Sequence, residues 1–347
     1  MNRKRDSVPW IPASARRTLI LAAVLPAWFS TLALLVFFAA GFSVPERWQY
    51  LPFAASLVFL GLPHGAVDHL VPARLSGRSV TPGSVLAVAG LYAAFAAAVL
   101  VLWFISPLAA FALFIAVTWF HWGQGDLYAL RAVFGVPYLD SRYARVLAVF
   151  VRGGLPMLVP LLVFPRTYES VATSAVALFG GDMGGTFHFG PGFAAVGSAG
   201  LAAAGACSLA LGYRRSRADR GAWLVDAGET LLLLGYLAVV PPVLAVGAYF
   251  CLWHAPRHIA RLMLLDGPSA AALERGWFVP AAARFLRDSA PLTLLAIVLL
   301  AGLYVLVPRM AGGWEALLGV YLVLLSALTP PHVAVVSLMD RRQGFWS

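Results

Sequence analysis

Residues 48–71 read WQYLPFAASLVFLGLPHGAVDHLV, an apolar run in which Asp68 is the only formally charged side chain. About 20 consecutive apolar residues are needed for an α-helix to cross about 30 Å of hydrocarbon, so this run is long enough to span a bilayer. Its second half also carries two histidines, His64 and His69. The stretch therefore predicts a transmembrane helix with ionisable side chains inside the membrane, where such groups usually have a function.

The rest of the chain has the same apolar character. Of its 347 residues, 61% are hydrophobic and 12% are charged, against about 45–50% and about 25% in soluble domains. We find no internal repeat and no soluble domain, so residues 1–347 are predicted to form a single integral membrane domain, an all-α transmembrane helix bundle of a multi-pass protein of the cell membrane. About ten spans are expected, with eight as the alternative, at residues 17–41, 48–71, 84–105, 107–130, 144–164, 193–213, 223–240, 242–264, 290–308 and 314–338.

The positive charges indicate the orientation of the chain. The formal net charge is +10, but the arginines are scattered through short loops without a continuous basic face, so nucleic acid is not an expected partner. Most of them fall on the side of the basic segment 1–16, and about three, Arg47, Arg166 and Arg309, fall on the other side. Because positive loops stay in the cytoplasm, both termini are predicted to be cytoplasmic and the Gly-rich loop 165–192 to be external. The first span is too long for a signal peptide and is predicted to be retained.

Two arginines, Arg152 and Arg257, lie inside predicted spans. A charge at that depth is costly and usually faces a partner or a cavity. Asp226 and Glu229, near the inner end of the seventh span, are candidate partners for Arg152. In the alternative interpretation, Arg152 extends its charged end to the membrane interface.

Six of the seven histidines lie in four local clusters within predicted spans, and the seventh, His188, is expected to be a solvated residue of the Gly-rich loop. Counted from the outer ends of the second, fourth, eighth and tenth spans, the clusters lie at depths that agree within about 9 Å. They can therefore meet at one level of the membrane. The clusters are GLPHGAVDH (61–69), FHWGQGD (120–126), LWHAPRH (252–258) and TPPHV (329–333).

Histidines from separate helices at one depth favour a metal site. His254 and His258 are four residues apart and share a helix face, although Pro256 between them should loosen that turn. The two cysteines, Cys207 and Cys251, lie in apolar runs and suggest neither a disulfide nor a thiolate cluster. Imidazole ligands alone would admit iron, zinc or copper.

Two carboxylates accompany the histidines. Asp68 lies one helical turn beyond His64, and Asp126 lies five residues beyond His121. A metal-bound imidazole commonly donates its other N–H to a carboxylate, so both acids are expected to orient ligands without touching the metal. In the alternative, a carboxylate binds the metal directly, as in iron sites built from two histidines and one carboxylate.

The four motifs, in this order, resemble those of the Brp/Blh family of membrane carotenoid cleavage enzymes. The resemblance rests on GLPHGAVDH, FHWGQGD, CLWHAPRH and PPHVAVV, and the helical segments between them extend it over nearly the whole chain. It implies a β-carotene 15,15'-dioxygenase, a non-haem Fe(II) enzyme. Such an enzyme cleaves the central double bond of β-carotene with O2 and releases two molecules of all-trans-retinal.

The resemblance also implies a set of iron ligands. Carried over by motif, these are His64, His121, His254 and His258, with His332 as a fifth candidate. His69 is expected to support a ligand or to pack against its neighbours. Five residues turn it about 140° away from His64 on a regular helix.

The chemistry of the implied substrate indicates the route by which it would reach the site. β-Carotene is uncharged and nearly insoluble in water, so we expect it to enter from the lipid bilayer through a gap between helices. Aromatic residues beside the motifs are predicted to line a substrate tunnel, with packing and interfacial positions as the alternative. They are Trp119, Phe120, Trp122, Tyr249, Phe250 and Trp253. Retinal would pass to a retinal-binding membrane protein, although no motif identifies one.

Three alternative functions would use the same histidines inside the membrane. Transmembrane histidines hold haem in electron-transfer proteins. Ionisable residues within spans also mark the ion pathways of transporters, although the chain has no visible repeated halves. Membrane di-iron hydroxylases usually carry more histidines than the seven present here.

Overall fold

The computed structural model describes residues 11–182, 191–217, 220–307 and 313–346. Over these residues the fold is all-α, as predicted. The main helical segments are α1 (Ala13–Ala39), α2 (Glu46–Leu75), α3 (Pro82–Ile105), α4 (Pro107–Val133), α5 (Arg142–Val163), α6 (Pro165–Ala177), α7 (Pro191–Arg215), α8 (Gly221–Val239), α9 (242–265), α10 (Gly267–Glu274), α11 (Phe278–Leu306) and α12 (Trp314–Arg342).

Nine segments in the described part of the chain are long and apolar enough to cross a membrane, namely all of these except α6, α9 and α10. The predicted eighth span, 242–264, coincides with α9, which is helical throughout. Its mean hydropathy is reduced by the polar side chains His254, Arg257 and His258. A tenth span at α9 therefore stays a prediction. The side of the membrane on which the termini lie stays a prediction.

Two boundaries differ from those expected. The ninth predicted span, 290–308, corresponds to α11, which begins at Phe278 and includes Pro291. The segment 165–192, predicted to be a Gly-rich loop, is helical over Pro165–Ala177. Pro165 stands in the first turn, where its fixed φ favours a helix start, and the glycines follow only from Gly180 onward. His188 lies outside the described residues.

Helix α2 is interrupted close to the first histidine motif. Residues 57–60 are not helical, and the helix resumes at Gly61. A Cβ at Gly61 would lie 2.5 Å from Ser56 and 2.7 Å from the Phe250 ring, so only glycine fits there. Irregular backbone at membrane depth is tolerated where it is buried in protein or lines a cavity, and Gly61 does line one.

Small residues bring α4 and α5 into close contact. Gly123 packs on the backbone of Val149, and Gly153 packs on the backbone of Trp119. Glycines at such positions allow membrane helices to approach closely, because no side chain separates the backbones. The contact fixes the part of α4 that carries the second histidine motif.

The histidine-bearing helices occupy the middle of the bundle. About half of the apolar part of α2, α4 and α12 is buried, whereas α3, α7 and α11 are mostly exposed. The exposed side chains of the outer helices are apolar, for example Phe104, Val196 and Leu306. This distribution is expected where lipid surrounds the protein, and it leaves the polar motifs in the interior.

Candidate metal centre

Histidines from four helices meet inside the bundle. The ring centroids lie 4.9 Å apart for His64 and His332, 4.7 Å apart for His121 and His254, and 5.0 Å apart for His258 and His332. All five side chains are more than nine-tenths buried. The four motifs, which are distant in sequence, therefore form one cluster.

Two sets of three side chains are close enough to share an ion. Ligand atoms of His64, His121 and His332 lie within 4.8 Å of one another, as do those of Asp68, His258 and His332. His332 belongs to both sets and therefore lies at the centre of the cluster. From sequence it was only a fifth candidate ligand, and the geometry makes it a principal one.

Hydrogen bonds determine which ring nitrogen of His64 and of His332 is available to bind a metal. Nδ1 of His64 contacts the carbonyl oxygen of Gly61, and Nδ1 of His332 lies 2.7 Å from a carboxylate oxygen of Asp68. A carbonyl or a carboxylate accepts but does not donate, so each Nδ1 carries the proton. The Nε2 atom of each ring is then left with the lone pair that a metal requires.

The other two motifs direct their rings at each other. Nε2 of His254 lies 3.0 Å from Nε2 of His121. Nitrogens at this separation are close enough to bind the same ion, because each would lie about 2.1 Å from it. The close approach needs Gly125, because a Cβ there would lie 3.1 Å from the His254 ring. This geometry suits two ligands of one ion.

The turn of α9 that carries the histidine pair is widened. Residues Tyr249–His254 form a π-helical turn directly before Pro256. Proline has no backbone N–H to donate, so the regular ladder of hydrogen bonds cannot continue there. The turn predicted to loosen, between His254 and His258, belongs to the regular helix Ala255–Leu265, and the widened turn precedes it. π turns of this kind are frequent at functional sites. The rings of His254 and His258 remain parallel within 7°, with centroids 6.5 Å apart.

Asp68 contacts a histidine of another helix, and not His64 from its own motif. One of its oxygens accepts from His332 at 2.7 Å and from the hydroxyl of Tyr92 at 2.6 Å. The second oxygen is buried and has no partner among the described residues. Asp68 can therefore orient His332, as predicted for this acid, and the alternative of direct metal binding stays open.

Asp126 does not contact a histidine among the described residues. It accepts from the indole N–H of Trp253 at 3.0 Å and from Arg257 at 3.3 Å. Both donors belong to α9, on either side of His254. The prediction that Asp126 bonds to a ligand is therefore replaced by a different role, in which Asp126 joins α4 to the helix of the histidine pair.

A buried network of charges surrounds Asp126. Glu229 contacts Arg152 and lies 2.5 Å from Arg257, while Asp226 lies 3.5 Å from Arg152. Each of these side chains is at most 4% exposed. The prediction that Asp226 and Glu229 are the partners of Arg152 is confirmed. Arg152 is not at the interface.

A cavity of about 480 Å³ opens beside the cluster. His64, His121 and His332 line it, together with Asp68 and His69. His69 belongs to neither set of potential ligands, and its Nδ1 lies 3.0 Å from the carbonyl oxygen of Ala66. The remaining lining is almost entirely apolar, which suits a hydrocarbon ligand.

Two of the six aromatic residues predicted to line a tunnel, Trp122 and Phe250, line this cavity. The other four do not. Successive residues of a helix point about 100° apart, so neighbours of a ligand cannot all face the same space. Tyr249 is buried beside Trp122, with ring centroids 4.8 Å apart.

The remaining three aromatics contact other parts of the bundle. Trp119 donates its indole N–H to the backbone oxygen of Phe150 at 2.8 Å, on α5. Phe120 is 38% exposed at the outer surface. Trp253 is fully buried and bonds to Asp126. None of these three residues lines the cavity.

The donor set fits a metal cation. Nε2 of His258 and of His332 are buried without a partner among the described residues, and so is Nδ1 of His121. Burying a polar atom without a partner is costly, and an ion would satisfy the two Nε2 atoms. Clustered neutral imidazoles with a nearby carboxylate are typical ligands of iron, zinc and copper.

Comparison with known proteins agrees with this geometry. The sequence profile described as "BCD: Beta-carotene 15,15'-dioxygenase" matches residues 55–340. The chain belongs to the β-carotene 15,15'-dioxygenase family. "Probable beta-carotene 15,15'-dioxygenase Blh" of Halobacterium salinarum is 43% identical over 334 residues, which cover 96% of each chain. "Probable beta-carotene 15,15'-dioxygenase Brp" of the same organism is 32% identical over 377 aligned residues, 100% of this chain and 99% of the relative. No solved structure matches the chain.

The match to the β-carotene 15,15'-dioxygenase family includes all five clustered histidines, since it extends from residue 55 to residue 340. It also includes Tyr92, which sequence reasoning missed. Tyr92 lies within the apolar span of α3 without a neighbouring polar residue that would mark it. Only its contact with Asp68, across 24 residues, reveals its place beside the site.

Proposed function

We propose that this chain is an Fe(II)-dependent β-carotene 15,15'-dioxygenase. The reaction adds both atoms of O2 across the central double bond of β-carotene and yields two molecules of all-trans-retinal. The observation that carries the proposal is the convergence of five buried histidines beside an apolar cavity, which three of them line, in a chain of this family.

The proposed iron ligands are nitrogen atoms of the five clustered histidines. A bound Fe(II) supplies the activation of O2, which carbon–carbon double bonds do not achieve alone. The protein holds His64 and His332 in the correct tautomer through Gly61 and Asp68. Preset ligand orientation keeps the binding site ordered before the metal arrives. The ligands are His64, His121, His254, His258 and His332.

Buried carboxylates offset the charge of a divalent ion. Asp68 contributes one negative charge beside His332. In the adjoining network, three carboxylates face two guanidinium groups, which leaves a formal excess of one negative charge. A dication in apolar surroundings is unfavourable without such counter-charges. The network therefore provides counter-charge for a divalent metal and also contributes to the packing of the helices.

The cavity extends on both sides of the histidines. Phe111 lines it ten residues before His121, about 15 Å toward the outer end of α4. Val85 lines it seven residues before Tyr92, about 10 Å toward the inner end of α3. A long polyene in this cavity would have its two halves on opposite sides of the metal. Such placement supports cleavage near the middle of the molecule.

The cavity reaches the lipid-facing surface between α3 and α11. Ala89 and Ala93 of α3 and Leu292 and Leu295 of α11 line the cavity and are also exposed. An apolar opening on this side would admit β-carotene directly from the bilayer. Retinal would leave by the same opening, and a retinal-binding membrane protein is the proposed recipient. The proposed location is the cell membrane, with both termini in the cytoplasm.

Blocking this opening should slow the reaction without disturbing the metal. Replacing Ala93 with tryptophan places a large side chain in the opening, so we expect retinal formation to fall at least about tenfold while iron content is unchanged. The matched control is Ala94→Trp, because Ala94 is exposed on the same helix but does not line the cavity. Retinal is quantified by chromatography. Equal activity of the two variants would contradict entry between α3 and α11.

Removal and return of the metal tests the proposed function. The purified protein, treated anaerobically with a chelator, is expected to lose retinal formation and to regain it with Fe(II) but not with Zn(II), which cannot activate O2. The His121→Ala variant serves as the reference, because Fe(II) should not restore its retinal formation. A Soret band in the active protein would indicate haem instead, and metal flux in proteoliposomes would indicate a transporter. Full activity of the metal-free protein would overturn the proposal.

A further inference from the structure

Two complementary polar atoms beside the cluster lack partners among the described residues. They are Nδ1 of His121 and the side-chain oxygen Oε1 of Gln124, and both are buried. Gln124 follows His121 by one helical turn, so the two side chains share a face of α4. Residues at this spacing are neighbours on a helix surface, with Cβ atoms about 5–6 Å apart.

The orientation of the Gln124 amide is fixed from its other side. Its Nε2 donates to Asp340 at 2.7 Å and to Ser337 at 3.3 Å. Asp340 is also 2.7 Å from Arg261 and accepts from Trp346 at 3.1 Å. Asp340 is surrounded by these donors and acts as the acceptor in each contact. The amide nitrogen must therefore face Asp340, and the amide oxygen faces away from it.

The proton of His121 is fixed by the cluster. Its Nε2 points at Nε2 of His254 across 3.0 Å, in the region where the ligand atoms converge. A nitrogen that binds a metal cannot carry a proton, so the proton resides on Nδ1. That N–H is buried without a partner among the described residues, and the oxygen of Gln124, one helical turn further along the same face, is a buried acceptor that is also unused.

We infer that Gln124 is a positioning residue for the metal centre, whose amide oxygen accepts the Nδ1–H of His121 and so holds Nε2 toward the ion. The inference rests on the proposed iron site and extends it to a chain of contacts through Asp340 to Arg261 of α9. The imidazole is thereby anchored to the two helices, α9 and α12, that supply three of the other ligands. Removing such a supporting contact typically weakens metal binding about 10- to 100-fold.

The first test replaces Gln124 with methionine, which has a similar shape but neither donor nor acceptor. Anaerobic titration of the detergent-purified protein with Fe(II) is expected to show about 10- to 100-fold weaker binding. The visible absorption of the Co(II)-substituted protein is expected to shift, because the His121 ring is released. A role in packing alone would not alter the cobalt spectrum. The matched control is Ser326→Ala, which removes a buried hydrogen bond between α12 and Trp103 outside this network and should bind both metals like the wild type.

The second test exchanges the amide and the carboxylate between positions 124 and 340. In the double variant Gln124→Glu with Asp340→Asn, the carboxylate at 124 still accepts from His121, and the amide at 340 donates to that carboxylate. We expect Fe(II) affinity close to that of the wild type. Recovery in this variant would show that the acceptor facing His121 is what matters. It also remains informative if the methionine variant fails to fold.

The outcomes separate the inference from the proposed function. If the wild-type protein binds Fe(II) and Gln124→Met binds it equally well with an unchanged cobalt spectrum, the inference is wrong while the iron site stands. If the double variant folds but binds Fe(II) as weakly as His121→Ala, the inference is also wrong. If the wild type binds neither metal, the proposed function fails.

Discussion

Replacing His332 with alanine is expected to abolish retinal formation and to remove most of the bound iron. His332 belongs to both sets of side chains that can share an ion, and its protonated Nδ1 is held by Asp68. The substitution removes a proposed ligand and leaves the Asp68 carboxylate without its histidine partner. We expect activity to fall by more than about 100-fold, beyond the range typical of residues that only support a ligand.

His69 provides the matched control for His332. Both histidines line the same cavity, but His69 lies in neither ligand set and bonds to the backbone of its own helix. His69→Ala should therefore retain iron and lose much less activity. Iron is measured by elemental analysis of the purified variants, and retinal is measured in cells that accumulate β-carotene. A His332→Ala protein with full iron content and normal retinal formation would remove His332 from the ligand set.

The positions of the helices and of the four motifs could be predicted because their signals are local. Apolar runs determine which segments can cross a membrane, and α9 was placed correctly although His254 and His258 lower its mean hydropathy. Matched depths along the spans predicted that the motifs meet. The depth of a residue follows from its count along a helix, at about 1.5 Å per residue.

Contacts between helices could not be predicted in the same way, because they depend on how the helices are rotated and paired. Asp68 is expected from sequence to orient a ligand, but the sequence does not identify that ligand as His332 on α12. Asp126 was assigned to a histidine, but it contacts Trp253 and Arg257 on α9. For Arg152 the partners were predicted correctly, since a buried charge restricts its neighbours to a few acids.

Replacing Glu229 with methionine is expected to cause the largest loss of stability. Glu229 contacts both Arg152 and Arg257 and accepts from Trp28 of α1 at 2.7 Å. Without it, two buried guanidinium groups share the remaining carboxylates, Asp126 and Asp226. Removing one member of a buried ion pair commonly costs about 3–5 kcal/mol, and here both guanidinium groups lose the carboxylate that lies closest to them. Denaturant unfolding of the detergent-purified protein measures the loss.

An exposed ion pair of the same chain serves as the control for Glu229→Met. Arg287 lies 2.8 Å from Asp288, but its side chain is 67% exposed. Arg287→Met should change the unfolding free energy by less than about 1 kcal/mol, because water screens the pair. If both variants unfold at the same denaturant concentration, the buried network does not stabilise the fold. If Glu229→Met alone unfolds early, its affinity for iron should also be lower than that of the wild type. Glu229 contacts Arg257, which lies on α9 between the proposed ligands His254 and His258.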